Sequence, residues 1–426
     1  MRRKKTFAAN RVFLFLIGYT LTIRCSVFNF AGFNIRPLEL VILIALLFCF
    51  AKMALLPKSA VFERRPLASF LILFLSMLPS TITTLSPIAT FSFIAKVSIG
   101  IVLAMIILNL TNSVEDLTAL EFGLISWAFP SLIIHIISYW TPSLSSRLYN
   151  ITYVNGISRL SGWFEDPNYF GTWVAVMLIY IWIRATFKKS LLNFFLMVLL
   201  STTLILTFSR TSWFAMVMGG IAMLSVFLIR CRQAFYSALR SAIKTLSILS
   251  LCIFLLSVRT NLIADIVLRA HTMITANVRY ALWKDAMYIM VTYNNWLTGI
   301  GVGAFPVAHK MMRFNNTFVG YYQQWFFDLT LHNTYLDALV SGGIVHFAAL
   351  VVLLLHVFRS SFHLTSHRFG NLLPKWFVFG SLGMLLVLYV SMLTLNMLDV
   401  RYAWFIIGFA LVVDKLARKK SKEEQE

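Results

Sequence analysis

Long apolar runs separated by short polar segments recur along the whole of this 426-residue chain. A helix that crosses a bilayer needs about 20 mostly apolar residues, because its backbone polar groups must be satisfied within the helix. About twelve runs of that length are present, near 12–30, 36–56, 66–86, 92–110, 118–139, 169–186, 190–208, 211–230, 241–258, 335–358, 375–394 and 401–414. With 59% hydrophobic and 12% charged residues, the chain lacks the polar surface of a soluble protein. We therefore expect an all-α polytopic membrane protein.

Lysine and arginine are distributed unevenly between the predicted connecting segments. If both termini lie inside, most of the 37 Lys and Arg residues fall in the N-terminal segment, the inner connections and the tail after 414. Basic residues concentrate on the cytoplasmic side of membrane proteins. The sequence therefore predicts cytoplasmic termini. Topology and anionic membrane lipids account for much of the +21 net charge without a nucleic acid partner.

Two of the predicted outer segments are long enough to carry function. One is 140–168, and the other is 259–334. The predicted organisation is nine transmembrane helices with the outer motif loop 140–168 over 1–258, then the large outer loop 259–334. Helices 10–12 and a basic cytoplasmic tail follow over 335–426.

The large outer loop contains its own periodic and glycine-rich segments. Val278, Leu282, Ala286 and Ile289 share one face at helical spacing, which predicts an amphipathic helix near the outer membrane surface, ending at "NNW". "TGIGVGAF" follows. It lacks the GxxxxGK[ST] pattern of a nucleotide loop, and we interpret it as a tight turn after a helix.

Three predicted spans begin on the outer side directly after a polar motif: "FEDPN", "FSRTS" and "LHNTY". Asp166 before Pro167 has the pattern of a helix N-cap followed by proline at the first helical position. Candidate caps for the other two spans are Ser209 or Thr211, and Asn333 or Thr334. Capping alone is a sufficient role for Asp166.

Capping does not explain the basic residues around these helix starts, which are Arg159, Arg210, Arg279 and His332. Helix N-termini carry exposed N–H donors and a partial positive charge, so they bind anions. The arginine guanidinium binds phosphate oxygens in pairs and stays charged. Outside a membrane, the available multiply charged anion is a lipid-linked diphosphate rather than ATP. The pattern therefore predicts a lipid diphosphate site.

The order "RLSGWFEDPNYFG", "FSRTSW", "TGIGVGAF" and "LHNTYLDALVSGGI" resembles that of the O-antigen ligase and O-antigen polymerase superfamily of bacterial envelopes. The resemblance covers about 150–350. It implies a metal-independent, cofactor-free, inverting glycosyltransferase of the GT-C type in the bacterial inner (cytoplasmic) membrane, with its active site facing the periplasm. The donor implied is a glycan on undecaprenyl diphosphate.

The resemblance also assigns roles by position. Arg159, Arg210 and Arg279 are the implied diphosphate ligands, although Arg259 and Arg269 precede Arg279 in the same loop and stay open as alternatives. His332 is the implied general base, with Asp166 as its rival. Asn168 and Asn333 are candidate substrate-binding residues in the same motifs. No metal site is expected, because the outer histidines are scattered and no DxD sequence occurs.

Three functions fit the sequence. The first is polymerisation of lipid-linked repeat units of O-antigen or a related surface polysaccharide. The second is ligation of a finished glycan to a lipid A core or another acceptor. The third, transport of the lipid-linked glycan, predicts charged residues at mid-membrane depth and paired repeats, whereas most outer polar residues here lie near the bilayer edge, Lys96 excepted. A chain-length regulator protein is a further candidate partner. The sugar, its linkage and the oligomeric state stay open.

Overall fold

The computed structural model describes residues 2–23, 28–30, 33–55, 64–148, 151–154, 157–164, 166–257, 263–264, 267, 278–313, 330–366 and 372–426. In these ranges the helices are α1 (Arg2–Thr20), α2 (Pro37–Leu55), α3 (Arg64–Met77), α4 (Pro87–Leu110), α5 (Val114–Trp140), α6 (Pro142–Leu148), α7 (Pro167–Phe187), α8 (Leu191–Leu206), α9 (Arg210–Arg230), α10 (Arg232–Ser257), α11 (Val278–Tyr293), α12 (Phe305–Arg313), α13 (Thr334–Leu364), α14 (Lys375–Met392) and α15 (Arg401–Glu423). Two antiparallel hairpins complete the fold: β1 (Phe28–Phe30) with β2 (Phe33–Ile35), and β3 (Ile151–Val154) with β4 (Ile157–Leu160).

Six of the described helices are long and apolar enough to cross a membrane, namely α4, α5, α7, α9, α13 and α14. Segment 66–81 and α8 are apolar but shorter. The predicted all-α membrane class is confirmed at this level. The total of twelve spans stays a prediction.

The first predicted span, 12–30, is wrong in its bounds. Helix α1 begins at Arg2 and ends at Thr20, and Phe28–Phe30 form a strand that pairs with Phe33–Ile35. The apolar residues Phe28 and Phe30 suit a strand as well as a helix, because a short apolar run alone does not distinguish the two. The last span also differs: α15 continues beyond 414 to Glu423, so the basic tail is helical.

Helix α7 lies at the centre of the bundle and is buried along nearly its whole length. It packs against α8, α9, α10 and α14. Near its C-terminal end Arg184 donates from Nε to Glu121 Oε1 at 2.8 Å, and the Tyr180 hydroxyl donates to the same oxygen at 2.7 Å. A buried charge is tolerated when it is paired and hydrogen-bonded. This polar cluster therefore fixes α7 against α5 at the end opposite to Asp166.

The "TGIGVGAF" segment lies against a break in α13. Gly343 has φ 72° and ψ −179°, which interrupts the helix. The amides of Ile300 and Gly301 donate to the carbonyls of Val340 and Ser341, at 3.2 and 2.9 Å. A side chain at Gly299 (φ 71°) would collide with the Ser341 carbonyl. The predicted tight turn is confirmed, and its glycines allow the loop to satisfy the carbonyls that the break exposes.

The predicted amphipathic helix in the large loop is present as α11 and ends directly before Asn294. Its predicted position near the outer membrane surface stays a prediction, but the contacts of its apolar face are visible in the structure. Leu282, Ala286 and Ile289 are buried in a cluster with Phe305 of α12 and Val340 of α13. An apolar stripe at helical spacing identifies a face that needs burial but does not identify what covers it. Here that face packs on protein.

Candidate functional site

The starts of α7, α9 and α13 lie at the same end of the bundle, and each has a side-chain cap. Asp166 accepts the amide of Asn168 at 2.6 Å, Ser209 accepts that of Ser212 at 3.4 Å, and Asn333 accepts that of Leu336 at 3.0 Å. The predicted caps are confirmed, with Ser209 rather than Thr211, and Asn333 rather than Thr334, in that role.

Arg159 and Asn168 join the first two helix starts. Arg159 is buried on β4, where its Nε donates to the Thr207 carbonyl at 3.0 Å and its Nη2 to Asn168 Oδ1 at 3.0 Å. The Ser209 hydroxyl donates to the same Asn168 oxygen at 3.0 Å. In this arrangement both residues hold the starts of α7 and α9 together. Their predicted contacts with diphosphate and substrate stay predictions.

Arg210 is the first residue of α9 and differs from Arg159 in its surroundings. Its Nη1 is buried and has no hydrogen-bond partner among the described residues. None of the ion pairs within the described ranges involves it. A buried guanidinium nitrogen without an acceptor is costly, since about 1–3 kcal/mol is lost for an unsatisfied buried polar group and more for a charged one. Arg210 is therefore suited to an anionic ligand.

His332 lies two residues before α13 and has φ 49°, a left-handed conformation that is uncommon outside glycine. Its Nδ1 is buried without a hydrogen-bond partner in the described part of the chain. Burial lowers the pKa of His332 to about 4. That value is the net result of burial, the largest cause, of the positive charge of Arg279, which also lowers the pKa, and of Asp166, which raises it. Three predicted site residues from three separate segments are therefore electrostatic neighbours, and His332 is neutral at physiological pH.

Helix α11 carries Arg279 to this position. One turn after Arg279, the Trp283 indole donates to the Leu331 carbonyl at 3.1 Å, which ties α11 to the residue before His332. Arg259 and Arg269, the alternative ligands from the same loop, lie outside the described residues.

Asn333 and Thr334 are held by the segment between α14 and α15. The Asn333 amide donates to Asn396 Oδ1 at 3.1 Å, and Asn396 Nδ2 donates to Asp337 Oδ2 at 3.2 Å. Sequence reasoning missed Asn396 and Asp337. Asn396 lies in a turn near 395–400 that is almost uncharged and carries no motif. Asp337 lies inside an apolar run, and the only sequence feature that indicated a role for it is the high free-energy cost of an ionisable residue in a membrane helix.

Backbone strain marks two of the three helix starts. Phe208 (φ 48°) precedes α9 and His332 (φ 49°) precedes α13. A non-glycine residue in this region costs about 1–3 kcal/mol and persists where surrounding contacts enforce it. Phe208 is fully buried, so packing provides that enforcement.

An apolar groove extends along α9 from Trp213 to Leu224. Its cavity volume is about 480 Å³, and its walls come from α7, α8, α9 and α10. The α9 residues that line it are Trp213, Met216, Val217, Gly220, Ile221 and Leu224. Trp213 is three residues after Arg210 and therefore lies on the same helix face. A cation thus lies one turn from an apolar groove.

No group of three or more His, Cys, Asp or Glu side chains within the described ranges is placed to hold a metal ion. Metal independence of the reaction stays a prediction.

Comparison with known families supports the enzyme class. Residues 195–351 match the family model described as O-antigen ligase. This range includes Arg210, Arg279, His332 and Asn333 but not Arg159 or Asp166. No curated protein matches the chain. The match indicates glycosyltransferase activity of the O-antigen ligase type, with lipid-linked glycan and acceptor as substrates, in a multi-pass membrane protein. The resemblance of this chain to the O-antigen ligase and polymerase superfamily is thereby confirmed.

Proposed function

We propose that the chain is an inverting glycosyltransferase that uses undecaprenyl-diphosphate-linked glycans at the periplasmic face of the bacterial inner membrane. The observation that carries this proposal is the pairing of Arg210 with the apolar groove of α9. A ligand that fits both has an anionic head and an apolar tail. A lipid diphosphate has both parts.

The proposed head-group site consists of Arg210, Arg279 and the N-terminus of α9. Arg210 Nη1 lacks an acceptor among the described residues, and the first amides of a helix donate to anions. Charge that grows on a leaving diphosphate is stabilised by fixed cations, and such preorganised groups supply a large share of enzymatic rate enhancement. In this mechanism no metal is required, because lipid diphosphate is already a good leaving group.

In the proposed reaction an acceptor hydroxyl attacks the anomeric carbon of the donor sugar. The new bond joins the acceptor oxygen to that carbon while the bond from the carbon to the diphosphate oxygen breaks. The acceptor proton passes to the neutral imidazole of His332, and lipid diphosphate leaves on the opposite face. Inversion at the anomeric carbon follows from this single displacement. Asp166 near His332 stabilises the imidazolium that forms.

The proposed acceptor is a second lipid-linked repeat unit, which makes the protein a polymerase of O-antigen or a related polysaccharide. The second candidate is ligation to a lipid A core, and the description of the matched family favours it. Twelve spans, cytoplasmic termini and a periplasmic loop 259–334 belong to this proposal. A chain-length regulator is a further proposed partner.

The proposed function predicts transfer by the purified protein in nanodiscs. With a lipid-linked oligosaccharide as donor and acceptor, we expect longer lipid-linked glycans in the presence of EDTA, because the arginines replace a metal. Mass spectrometry of the products measures the length of the lipid-linked glycan. Loss of turnover in EDTA that a divalent ion restores would contradict the metal-free mechanism.

A deletion strain distinguishes the two candidate functions. Single repeats on the core indicate a polymerase, and a bare core indicates a ligase.

A second prediction tests the groove. Gly220 lines the groove, and a Cβ added there meets no atom within 4 Å, so Gly220→Phe extends a ring into the groove from an open position. We expect the KM for a long-chain lipid-linked donor to rise roughly threefold to tenfold, a loss of about 0.7–1.4 kcal/mol. The effect is modest because lipid outside the groove is equally apolar. Kinetic assays with donors of long and short tails measure it.

The matched control is Met218→Phe, since Met218 is exposed on another face of the same helix. This variant should keep the wild-type KM. An equal KM for Gly220→Phe and wild type with the long-chain donor, or an equal rise with the short-chain donor, would exclude the groove as the tail site.

A further inference from the structure

A second cavity, of about 200 Å³, lies next to the starts of α7 and α13. Its polar lining includes Lys96 of α4, Asp337 of α13, and Asn396 and Asp399 from the segment between α14 and α15. The rings of Phe93 and Phe305 also line it. A few polar groups set in an apolar wall are typical of a site for a small organic ligand.

Lys96 is the unusual member of this lining. It lies about 14 Å into α4, a helix that is long and apolar enough to cross a membrane. An ionisable residue at such a position commonly marks a substrate site. Its Nζ is 3.8 Å from Asp399 Oδ2, which exceeds hydrogen-bond distance. Both groups are partly exposed and keep hydrogen-bonding capacity for a ligand.

Asp337 presents an ordered carboxylate to the same cavity. Its Oδ1 accepts the Ser341 hydroxyl at 2.8 Å and its Oδ2 accepts Asn396 Nδ2 at 3.2 Å. A carboxylate accepts about four hydrogen bonds, so acceptor capacity remains. With Lys96, the lining thus offers a charged donor beside acceptors, the combination that binds vicinal hydroxyl groups.

The charge of its lining distinguishes this cavity from the proposed head-group site at Arg210 and Arg279. The lysine, arginine, aspartate and glutamate residues of its lining are one lysine, Lys96, and two aspartates, Asp337 and Asp399. Two carboxylates against one cation disfavour a diphosphate, because like charges repel at short range. A polyhydroxylated ring without phosphate suits the cavity.

The position of the cavity relates it to the candidate base. Thr330 in its wall precedes His332 by two residues, and Asn396 in its wall accepts the amide of Asn333. Tyr169 in its wall follows Asn168, whose side-chain oxygen accepts a hydrogen bond from Arg159 at the start of α7. The cavity therefore adjoins the turn that carries His332.

We propose that this cavity, with Lys96 and Asp399 as its specificity-determining residues, binds the terminal sugar ring of the acceptor glycan. The proposal rests on the proposed function, because it takes His332 as the group that receives the acceptor proton. In this proposal Lys96, a charged residue within an apolar helix, helps to select the acceptor.

The test uses Lys96→Met and Asp399→Asn in the full chain in nanodiscs. Each removes a charge and keeps much of the side-chain shape. Loss of one charge-assisted hydrogen bond should raise the KM for the acceptor about 10- to 100-fold. Both kcat and the KM for the donor should stay within about threefold, because the interaction is uniform binding. Asp414→Asn, which removes the partner of Arg418 at the other end of α15, is the matched control.

A binding experiment gives a readout that needs no turnover. The probes are the repeat-unit and core oligosaccharides released by mild acid from the surface glycan of the source strain, observed by saturation-transfer NMR. Wild type and Asp414→Asn should bind one of the probes, and Lys96→Met and Asp399→Asn should not. If wild type binds a probe, the two cavity variants do not, and wild type transfers nothing, the sugar site is supported and the proposed transfer is excluded. Equal probe binding by all four proteins, no binding by wild type, or a rise in donor KM instead of acceptor KM would overturn the acceptor site.

Discussion

Replacing Arg210 with lysine is expected to reduce kcat about a hundredfold, and replacing it with alanine to reduce kcat about 10²–10³-fold. Lysine keeps the positive charge at the start of α9 but loses the planar fork that binds two phosphate oxygens. Nη1 of Arg210 is buried without a partner among the described residues, so the fork has one donor ready for an anion. The measurement is single-turnover kinetics of purified protein with a lipid-linked donor.

Arg230→Lys provides the control for Arg210→Lys. Arg230 is the last residue of the same helix, at the opposite end, where its guanidinium lies over the Phe362 ring at 5.2 Å. The same chemical change there should leave kcat within about twofold of wild type, because no transition-state interaction is lost. Wild-type turnover in Arg210→Ala would remove Arg210 from the diphosphate site and leave membrane-surface anchoring as its role.

Replacing His332 with alanine should lower turnover about 10²–10⁴-fold, the usual contribution of a positioned general base. Binding of the lipid-linked donor should persist, because Arg210 and Arg279 remain. His332→Gln keeps a hydrogen-bonding side chain but cannot accept the proton, so it should be nearly as inactive. Turnover and donor binding, measured on the same preparations, separate the two effects.

The pH profile gives His332 a distinct signature. Burial, the largest cause, and the charge of Arg279 lower its pKa to about 4 in the free protein. A base acts in its neutral form, so kcat/KM should be level at neutral pH and fall as pH decreases through about 4. A bound diphosphate favours the imidazolium, so the midpoint in kcat should lie at higher pH than that in kcat/KM. His332→Gln should lack this acidic limb.

The control is His363→Gln, since His363 is exposed near the C-terminal end of α13. It should keep both the rate and the pH profile of wild type. If His332→Gln turns over within a few-fold of wild type, His332 is a structural residue of the turn before α13, and Asp166 becomes the candidate base.

The two predictions depend on different parts of the site. Arg210 belongs to α9 and the groove, whereas His332 is set by α13, α11 and the Trp283–Leu331 hydrogen bond. A loss of donor affinity in Arg210→Ala together with retained affinity in His332→Ala would separate anion binding from proton transfer.

Local features were readable from the sequence. Apolar runs predict membrane helices because the hydrocarbon core requires them. Asp166, Ser209 and Asn333 predict helix starts because a cap bonds to an amide only two or three residues away. The tight turn at "GIGVG" follows from the left-handed backbone that glycine permits.

Long-range contacts were decided only by the tertiary structure. The side-chain oxygen of Asn168 accepts from both Arg159 and Ser209. Asn396 bonds to Asn333 and Asp337, which precede it by 63 and 59 residues. The apolar face of α11 packs against α12 and α13, and Lys96 lines a cavity together with Asp337 and Asp399. Capping and apolar burial specify which groups need partners within one segment. Which partner each group receives depends on how helices from distant parts of the chain pack, and no local spacing encodes that register.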